Sequence, residues 1–263
     1  MSERRMAGTV RILRTWIWKG VAVWVLGMLP RLAVAQGGPP LLTDDPGTPG
    51  NGRTELNIAF LTQKSRGESL DQAPLIDFNY GVGDRMQLKF EIPWLIAHQT
   101  STEPRMGLGN LLLGFKWRFL DENPDGADVS IYPQFDFATS EHSTRTGLVP
   151  KGLELFLPME IAKDLGPVAV NVELGYLLQE EREGEWVFGV AVGRHVSEAV
   201  ELLGELHADA AREFEHGILV WDVGARIKLS DLNSVLVSAG RGIRGESRGE
   251  PGFLGYLGLE FNF

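Results

Sequence analysis

Apolar and polar residues alternate with a period of two along most of this chain beyond Arg53, the pattern of a β-strand with one greasy and one polar face. The clearest case is residues 108–120, where Leu111, Leu113, Phe115, Trp117 and Phe119 fall on one face and Asn110, Gly114, Lys116 and Arg118 on the other. The split recurs. Met86, Leu88, Phe90, Ile92 and Trp94 oppose Gln87, Lys89 and Glu91, and Leu153, Leu155, Leu157, Met159 and Ile161 oppose Glu154 and Glu160. Leu219, Trp221, Val223, Ala225, Ile227 and Leu229 likewise oppose Asp222, Arg226 and Lys228. Twelve strands are predicted in this way, over 53–63, 72–80, 85–97, 108–120, 128–138, 153–162, 168–179, 186–196, 199–209, 217–229, 234–242 and 252–263. Each apolar row matches the outward band of a tilted membrane-spanning strand of about 9–11 residues. A soluble sandwich with its greasy face inside gives the same rows.

The connections separate the two architectures. Those after even-numbered strands are tight, at 81–84, 163–167, 197–198 and 230–233, with 121–127 the longest. Those after odd-numbered strands are mostly longer and polar, at 64–71, 98–107, 139–152, 180–185, 210–216 and 243–251. Short turns on one side and long loops on the other predict an all-β fold: a single transmembrane antiparallel up-and-down β-barrel of about 12 strands. A Greek-key sandwich gives no reason for that order. Trp94, Trp186 and Phe253 fall near the long-loop ends of their strands and Tyr80, Phe119, Phe261 and Phe263 near the turn ends, which predicts two aromatic girdles. The last strand ends on Phe263 with Phe261, Leu259 and Leu257 on the same face. It resembles the closing strand of bacterial outer-membrane barrels, where a terminal aromatic is read by the barrel assembly machinery. Phe263 and Phe261 are therefore the expected assembly signal, and that machinery an expected partner.

The first 52 residues follow other rules. Arg4, Arg5, Arg11, Arg14 and Lys19 precede the apolar run 21–29 and the Ala33-Val34-Ala35 triplet, the order of a signal peptide over residues 1–35. Residues 36–52 hold four prolines and five glycines and are predicted to lie outside the sheet as a leader, with the barrel over 53–263. Leu41 and Leu42 gain by leaving water, and Asp44 and Asp45 find basic partners if the leader folds back into the barrel as a plug. Residues 1–35 carry six of the 25 Lys+Arg and one of the 35 Asp+Glu, so without them the formal charge moves from -10 to -15. A strongly acidic chain without clustered Lys and Arg excludes nucleic acid as a partner. No cysteine is present, so no disulfide supports the fold.

The polar faces predict a charged lumen. Its expected lining is Asp77, Lys89, Glu91, Lys116, Arg118, Asp136, Glu154, Glu173, Glu205, His207, Asp209, Asp222, Arg226 and Lys228, with Asp77 facing Lys89 across a tight turn. Glu205, His207 and Asp209 form a column on one strand, but alternate residues lie about 7 Å apart at a rise of about 3.3 Å each. They are expected to wall the lumen and hold no metal. His195 is expected to pair with Glu201 across the turn at 197–198. Gly240-Arg241-Gly242-Ile243-Arg244-Gly245 has the spacing of a dinucleotide fingerprint, yet a loop follows where that site needs a helix. No G-x-S-x-G is present. No catalytic residue and no cofactor are expected, and the chain is read as not an enzyme.

Leu42-Thr43-Asp44-Asp45-Pro46, the stretches 83–93 and 109–119, and the closing Phe253-Leu254-Gly255-Tyr256-Leu257-Gly258-Leu259 resemble the outer-membrane family named for phenol meta-pathway degradation. The likeness runs over nearly all of the chain beyond the leader. It implies a barrel in the outer membrane of a Gram-negative bacterium, surrounded by lipid, acting as a channel or transporter for a small-molecule solute, hydrophobic and aromatic compounds included. It carries no catalytic residues. The rival readings are a structural or binding barrel with a blocked lumen and a membrane-embedded hydrolase.

Overall fold

A computed structural model describes residues 37–122, 126–180, 182–214, 217–243 and 250–263. The expected signal peptide at 1–35 and the last two residues of the Gly240–Gly245 motif lie outside the described residues. The strands are β1 (Thr54–Ser65), β2 (Glu68–Val82), β3 (Met86–Gln99), β4 (Arg105–Leu108), β5 (Asn110–Leu120), β6 (Asp128–Ile131) and β7 (Gln134–Ala138). After a short helix, α1 (Glu141–Arg145), come β8 (Leu153–Asp164), β9 (Ala169–Gln179), β10 (Glu185–His195), β11 (Val200–Ala211), β12 (Gly217–Lys228), β13 (Asn233–Gly242) and β14 (Phe253–Asn262).

All pairings are antiparallel, and strands consecutive in sequence pair with each other except β4 with β5 and β6 with β7; β1 pairs with β14, so the sheet closes on itself. Two of its staves are interrupted, which makes the 14 strands a closed barrel of twelve. β4 and β5 both lie along β3, and β6 and β7 both lie between β5 and β8. The first interruption is at Gly109, where a Cβ would stand 2.5 Å from the Pro93 ring, so only glycine brings that backbone to the Pro93 carbonyl. The second is at Tyr132-Pro133, where proline has no N–H for the ladder.

The apolar rows face outward. Leu88, Phe90, Trp94, Leu113, Phe115, Trp117, Leu157, Met159, Trp221, Val223, Leu257 and Leu259 are all exposed, while Asp77, Lys116, Glu160, Glu173, Glu205 and Asp222 are buried. The barrel is thus greasy outside and polar inside, the reverse of a soluble sandwich. One outward row bends. A register shift between Arg118 and Leu120 brings Leu120 to the surface and leaves Phe119 half-buried, so Phe119 does not stand in the outward row expected for it.

Connection lengths depart from the expected alternation in one place. The loop expected over 64–71 is almost entirely strand: β1 and β2 run through it and leave only Arg66 and Gly67, with Ser65 paired to Glu68. Gly67 takes a φ of +82°, which the tight turn requires and other residues resist. Gln63, Lys64, Glu68 and Ser69 are polar on both faces because this hairpin extends past the apolar belt, so pairing continues where alternation stops. The connection at 139–152 contains α1, capped by the Ser140 hydroxyl accepting from the Ser143 N–H at 3.2 Å. Ser143 in turn donates to the Leu108 carbonyl at 2.6 Å and fastens the helix to the end of β4.

Candidate functional site

Among the described residues, the Pro/Gly-rich leader is a segment outside the sheet that runs into the barrel interior. Residues 38–43 turn on themselves, with the Gly38 N–H donating to the Thr43 carbonyl at 2.8 Å and the Leu41 N–H to the Gly38 carbonyl at 2.9 Å. That turn points its remaining backbone groups at the wall. The Leu42 and Thr43 N–H groups donate to the two carboxylate oxygens of Glu205 on β11, each at 2.8 Å. The Pro39 carbonyl accepts from Arg226 on β12 at 3.0 Å, and the Pro40 carbonyl from the Ser238 hydroxyl on β13 at 2.8 Å. These two carbonyls are free for such use because the segment lies in no ladder.

The acidic pair of the leader meets Lys116 on β5. Its ammonium lies 3.0 Å from the Asp44 carboxylate, donates to the Asp45 carbonyl, and sits 3.4 Å from Glu160 and 4.5 Å from the centre of the Tyr132 ring. Lys116 is 2 % exposed, so this charge has left water and depends on these partners. Hydrogen bonds to charged groups stabilise by about 1.5–3 kcal/mol each, so the Glu205 and Lys116 contacts are the main anchors of the segment. Apolar contact adds to them where Leu41 packs on Ala191 of β10 and Leu203 of β11. The wall is shaped to receive the segment. A Cβ on Gly189 would lie 2.3 Å from the Thr43 hydroxyl, and one on Gly81 would overlap the Gly50 carbonyl. Gly189→Val is therefore expected to dislodge the leader while the strands stay paired, which limited proteolysis near Leu41 would detect as faster cleavage than in the parent protein.

The other expected lining residues divide by position. Asp77 on β2 and Glu91 on β3 both hold Lys89, at 3.1 and 3.0 Å. Glu173 on β9 accepts from the Asp44 backbone, and Asp222 from Ser238 at 3.2 Å. Arg226 also pairs with Glu201 at 3.2 Å and Glu260 at 3.6 Å. His207 lies 3.5 Å from the Thr43 hydroxyl and 3.6 Å from Asp209, whose side chain is 41 % exposed at the rim. His195 stands 3.9 Å from Glu201. Asp136 accepts from Asn110, and Glu154 is held by Gln179 at 3.0 Å and Arg182 at 2.8 Å near the loop end.

Two expected lining residues lie outside this set. Arg118 turns to Asp121 at 3.0 Å and to the Asp84 carbonyl at 2.9 Å, while Lys228 is half-exposed and pairs with Asp231 at 2.7 Å. Both sit at strand ends, where a long side chain reaches the adjacent turn sooner than the lumen. Against a loss of hydration, hydrogen bonds from Arg85 and Arg118 hold the Asp121 carboxyl below its ordinary value. Glu160, Glu201, Glu260 and Tyr132 are buried members of the interior that the expected lining omits. Parity would have found the three carboxylates: Glu160 shares a face of β8 with Glu154, Glu201 shares a face of β11 with Glu205, and Glu260 on β14 has the parity opposite to Leu259 and Phe261. Tyr132 lies beside Pro133, where the strand pattern breaks.

On the loop side of the leader a cavity of about 350 Å³ remains. Leu61, Leu75, Leu112, Phe156 and Tyr256 line one part of it and Lys89, Glu91, Glu173 and Asp222 another, with Leu41 and Leu42 at its floor.

No protein-family model matches the chain, and no curated protein matches it by sequence. Solved structures do. An outer membrane channel from Pseudomonas putida F1 superposes with a TM-score of 0.65 at 13% identity, covering 83% of this chain and 98% of that one. The NanC porin gives 0.58 at 7% identity, over 78% of this chain and 98% of that one, and the KdgM porin 0.54 at 9%, over 79% and 99%. The chain shares the barrel fold of these outer-membrane proteins.

Proposed function

We propose that the chain is an outer-membrane channel for small molecules, hydrophobic and aromatic ones included, whose lumen is stoppered from within by residues 37–48. The observation that carries this reading is the pairing of a greasy outer wall with a polar interior that holds both a cavity and a segment that belongs to no strand. A water-soluble barrel has no use for an exposed belt of Phe, Trp and Leu around its whole circumference, whereas hydrocarbon solvates it. The named channel and porins with the same fold support the reading. Lipid, the barrel assembly machinery and the solute are its partners, and it needs no catalytic group or cofactor.

The anchoring of the leader favours one rival, a binding barrel whose lumen stays blocked. Currents across planar bilayers separate the two: a channel passes ions in discrete steps at least intermittently, and a blocked barrel passes none until the leader is removed.

The closing strand makes a further expectation. Phe263 is exposed, and its backbone exchanges hydrogen bonds with Thr54 at 2.9 and 3.1 Å, so it ends the seam that closes the barrel. Phe263→Ala keeps those backbone bonds and removes the ring. It is expected to reduce the amount of heat-modifiable barrel recovered from outer membranes severalfold, and parental amounts would exclude a role for this ring in assembly.

A further inference from the structure

We propose that the cavity on the loop side of the leader binds a small molecule with an apolar or aromatic body and one protonated amine, its ammonium held by Asp222 on β12 and its body by Leu61, Leu75, Leu112 and Phe156. The proposal rests on the channel reading above and names the class of solute.

Two residues of the cavity wall hold buried oxygens without a partner. Asp222 and Tyr256 both line the cavity and are only 4 % and 8 % exposed, yet neither Asp222 Oδ1 nor the Tyr256 hydroxyl has a hydrogen-bond partner. Buried polar atoms are nearly always paired, so two orphans on one wall mark a place for the donors of a ligand. The two residues are linked through β13. Ser238 is the cross-strand partner of Tyr256, and its hydroxyl divides one hydrogen between Asp222 Oδ2 at 3.2 Å and the Pro40 carbonyl at 2.8 Å.

The charges around Asp222 decide what that donor is. Its direct cross-strand partner is another carboxylate, Glu205, and like charges in that position repel. Arg226, further along β12, is taken by Glu201, Glu260 and the Pro39 carbonyl. Of the charged residues that line the cavity, Asp44, Glu91, Glu173 and Asp222 stand against Lys89 alone, and Lys89 is held by Asp77 at 3.1 Å and Glu91 at 3.0 Å. Neither base is left for Asp222. A neutral alcohol makes a hydrogen bond there without balancing the charge, and an anionic solute adds to the repulsion. An ammonium donates to Asp222 Oδ1 and to the Tyr256 hydroxyl and balances the charge as well.

The rest of the wall suits an organic cation. Leu61 and Leu75 come from β1 and β2, and Leu112 and Phe156 from β5 and β8. The Phe156 ring lies over Gly175 on β9, where a Cβ would stand 2.3 Å from it, so glycine lets the ring lie back against the wall. A volume of about 350 Å³ takes one small ligand and is far more than an ammonium alone fills. Among the described residues no three His, Cys, Asp or Glu side chains are grouped to hold a metal ion.

The test is equilibrium dialysis of the refolded protein in a neutral detergent against labelled 2-phenylethylamine, 2-phenylethanol, phenylacetate and ethylamine, with empty micelles subtracted. The phenyl amine is expected to bind saturably, with an affinity about tenfold or more above that of the alcohol, as one hydrogen bond to a charged group gives. Ethylamine keeps the charge and lacks the ring, and is expected to bind about tenfold or more weakly than the phenyl amine because the burial of the ring is lost. Phenylacetate is expected not to bind. Asp222→Asn keeps the size of the side chain and removes its charge, and is expected to bring the phenyl amine down to the affinity of the alcohol. Equal affinities for amine and alcohol in the parent protein would overturn the proposal, as would equal affinities for the two amines or the absence of saturable binding. Undiminished amine binding by Asp222→Asn overturns it equally. If that variant does not fold, Leu112→Trp fills the cavity from β5 with Asp222 in place, and undiminished binding there is just as decisive. Potassium chloride currents through the leader-deleted protein judge the channel reading separately, so absence of amine binding with retained currents leaves that reading standing.

Discussion

Deleting residues 37–48 is expected to raise single-channel conductance by roughly an order of magnitude, because a lumen of twelve strands lies between the eight-stranded barrel that side chains fill and the 16-stranded aqueous porin. The barrel should survive the deletion. None of its ladder pairs involves the leader, and Asn51 and Gly52, which brace the β2–β3 turn through Gly83 and Gly81, are kept. Lys116 retains Glu160 at 3.4 Å, and Arg226 retains Glu201 and Glu260. Glu205 loses both leader N–H groups and Glu173 loses that of Asp44, but both then face water that fills the vacated space, so neither is left buried without a partner. Planar-bilayer recording of the refolded deletion protein is the measurement. Conductance equal to that of the parent, in a protein that still shows heat-modifiable mobility, would mean that the segment does not block the path.

The barrel was legible because its two solvents are so different. A strand between hydrocarbon and a wet lumen must alternate, and Leu111 to Trp117 or Met86 to Trp94 does so across the apolar belt. Where one solvent bathes both faces the signal fails: β1 and β2 continue to Ser65 and from Glu68, yet their polar ends read as loop. The helix Glu141–Arg145 is too short for a 3.6-residue period to emerge. Within the lumen, parity gives the face of a residue and not its partner. Lys89, Lys116 and Arg226 share an inward parity, but the β2–β3 register brings Lys89 to Asp77, and the docking of the leader, which is in no ladder, brings Asp44 to Lys116. Arg118 and Lys228 have the same parity and are drawn to Asp121 and Asp231 by nearby turns. The loss of register in β2 between Gln72 and Leu75 did leave a trace, since a proline inside a strand marks a bulge or an edge, and Pro74 stands in the middle of Glu68–Val82.

Adjacent substitutions on opposite faces of β5 are expected to differ sharply. Leu113 is 41 % exposed and its cross-strand partners are Phe90 and Phe135, both exposed, so Leu113→Arg inserts a guanidinium between two aromatic rings on the hydrocarbon side. A lipid-facing Arg near mid-membrane costs about 2–4 kcal/mol. Leu112 looks the other way, onto the cavity, and its partners are Glu91 and Asp136, so Leu112→Arg places the same group between two carboxylates. Opposite charges directly across a strand pair are favourable by about 0.2–1 kcal/mol. Gly114 is a poorer inward control, because a Cβ there would stand 2.8 Å from the Tyr132 ring and confuse crowding with charge. Urea titration of the two variants in lipid vesicles, followed by loss of heat-modifiable mobility, should place Leu113→Arg well below the parent and Leu112→Arg close to it. Leu112→Arg should instead alter ion selectivity of the leader-deleted channel, since it adds a cation to an acidic wall. Equal destabilisation by both substitutions would mean that the two faces of β5 do not meet different solvents.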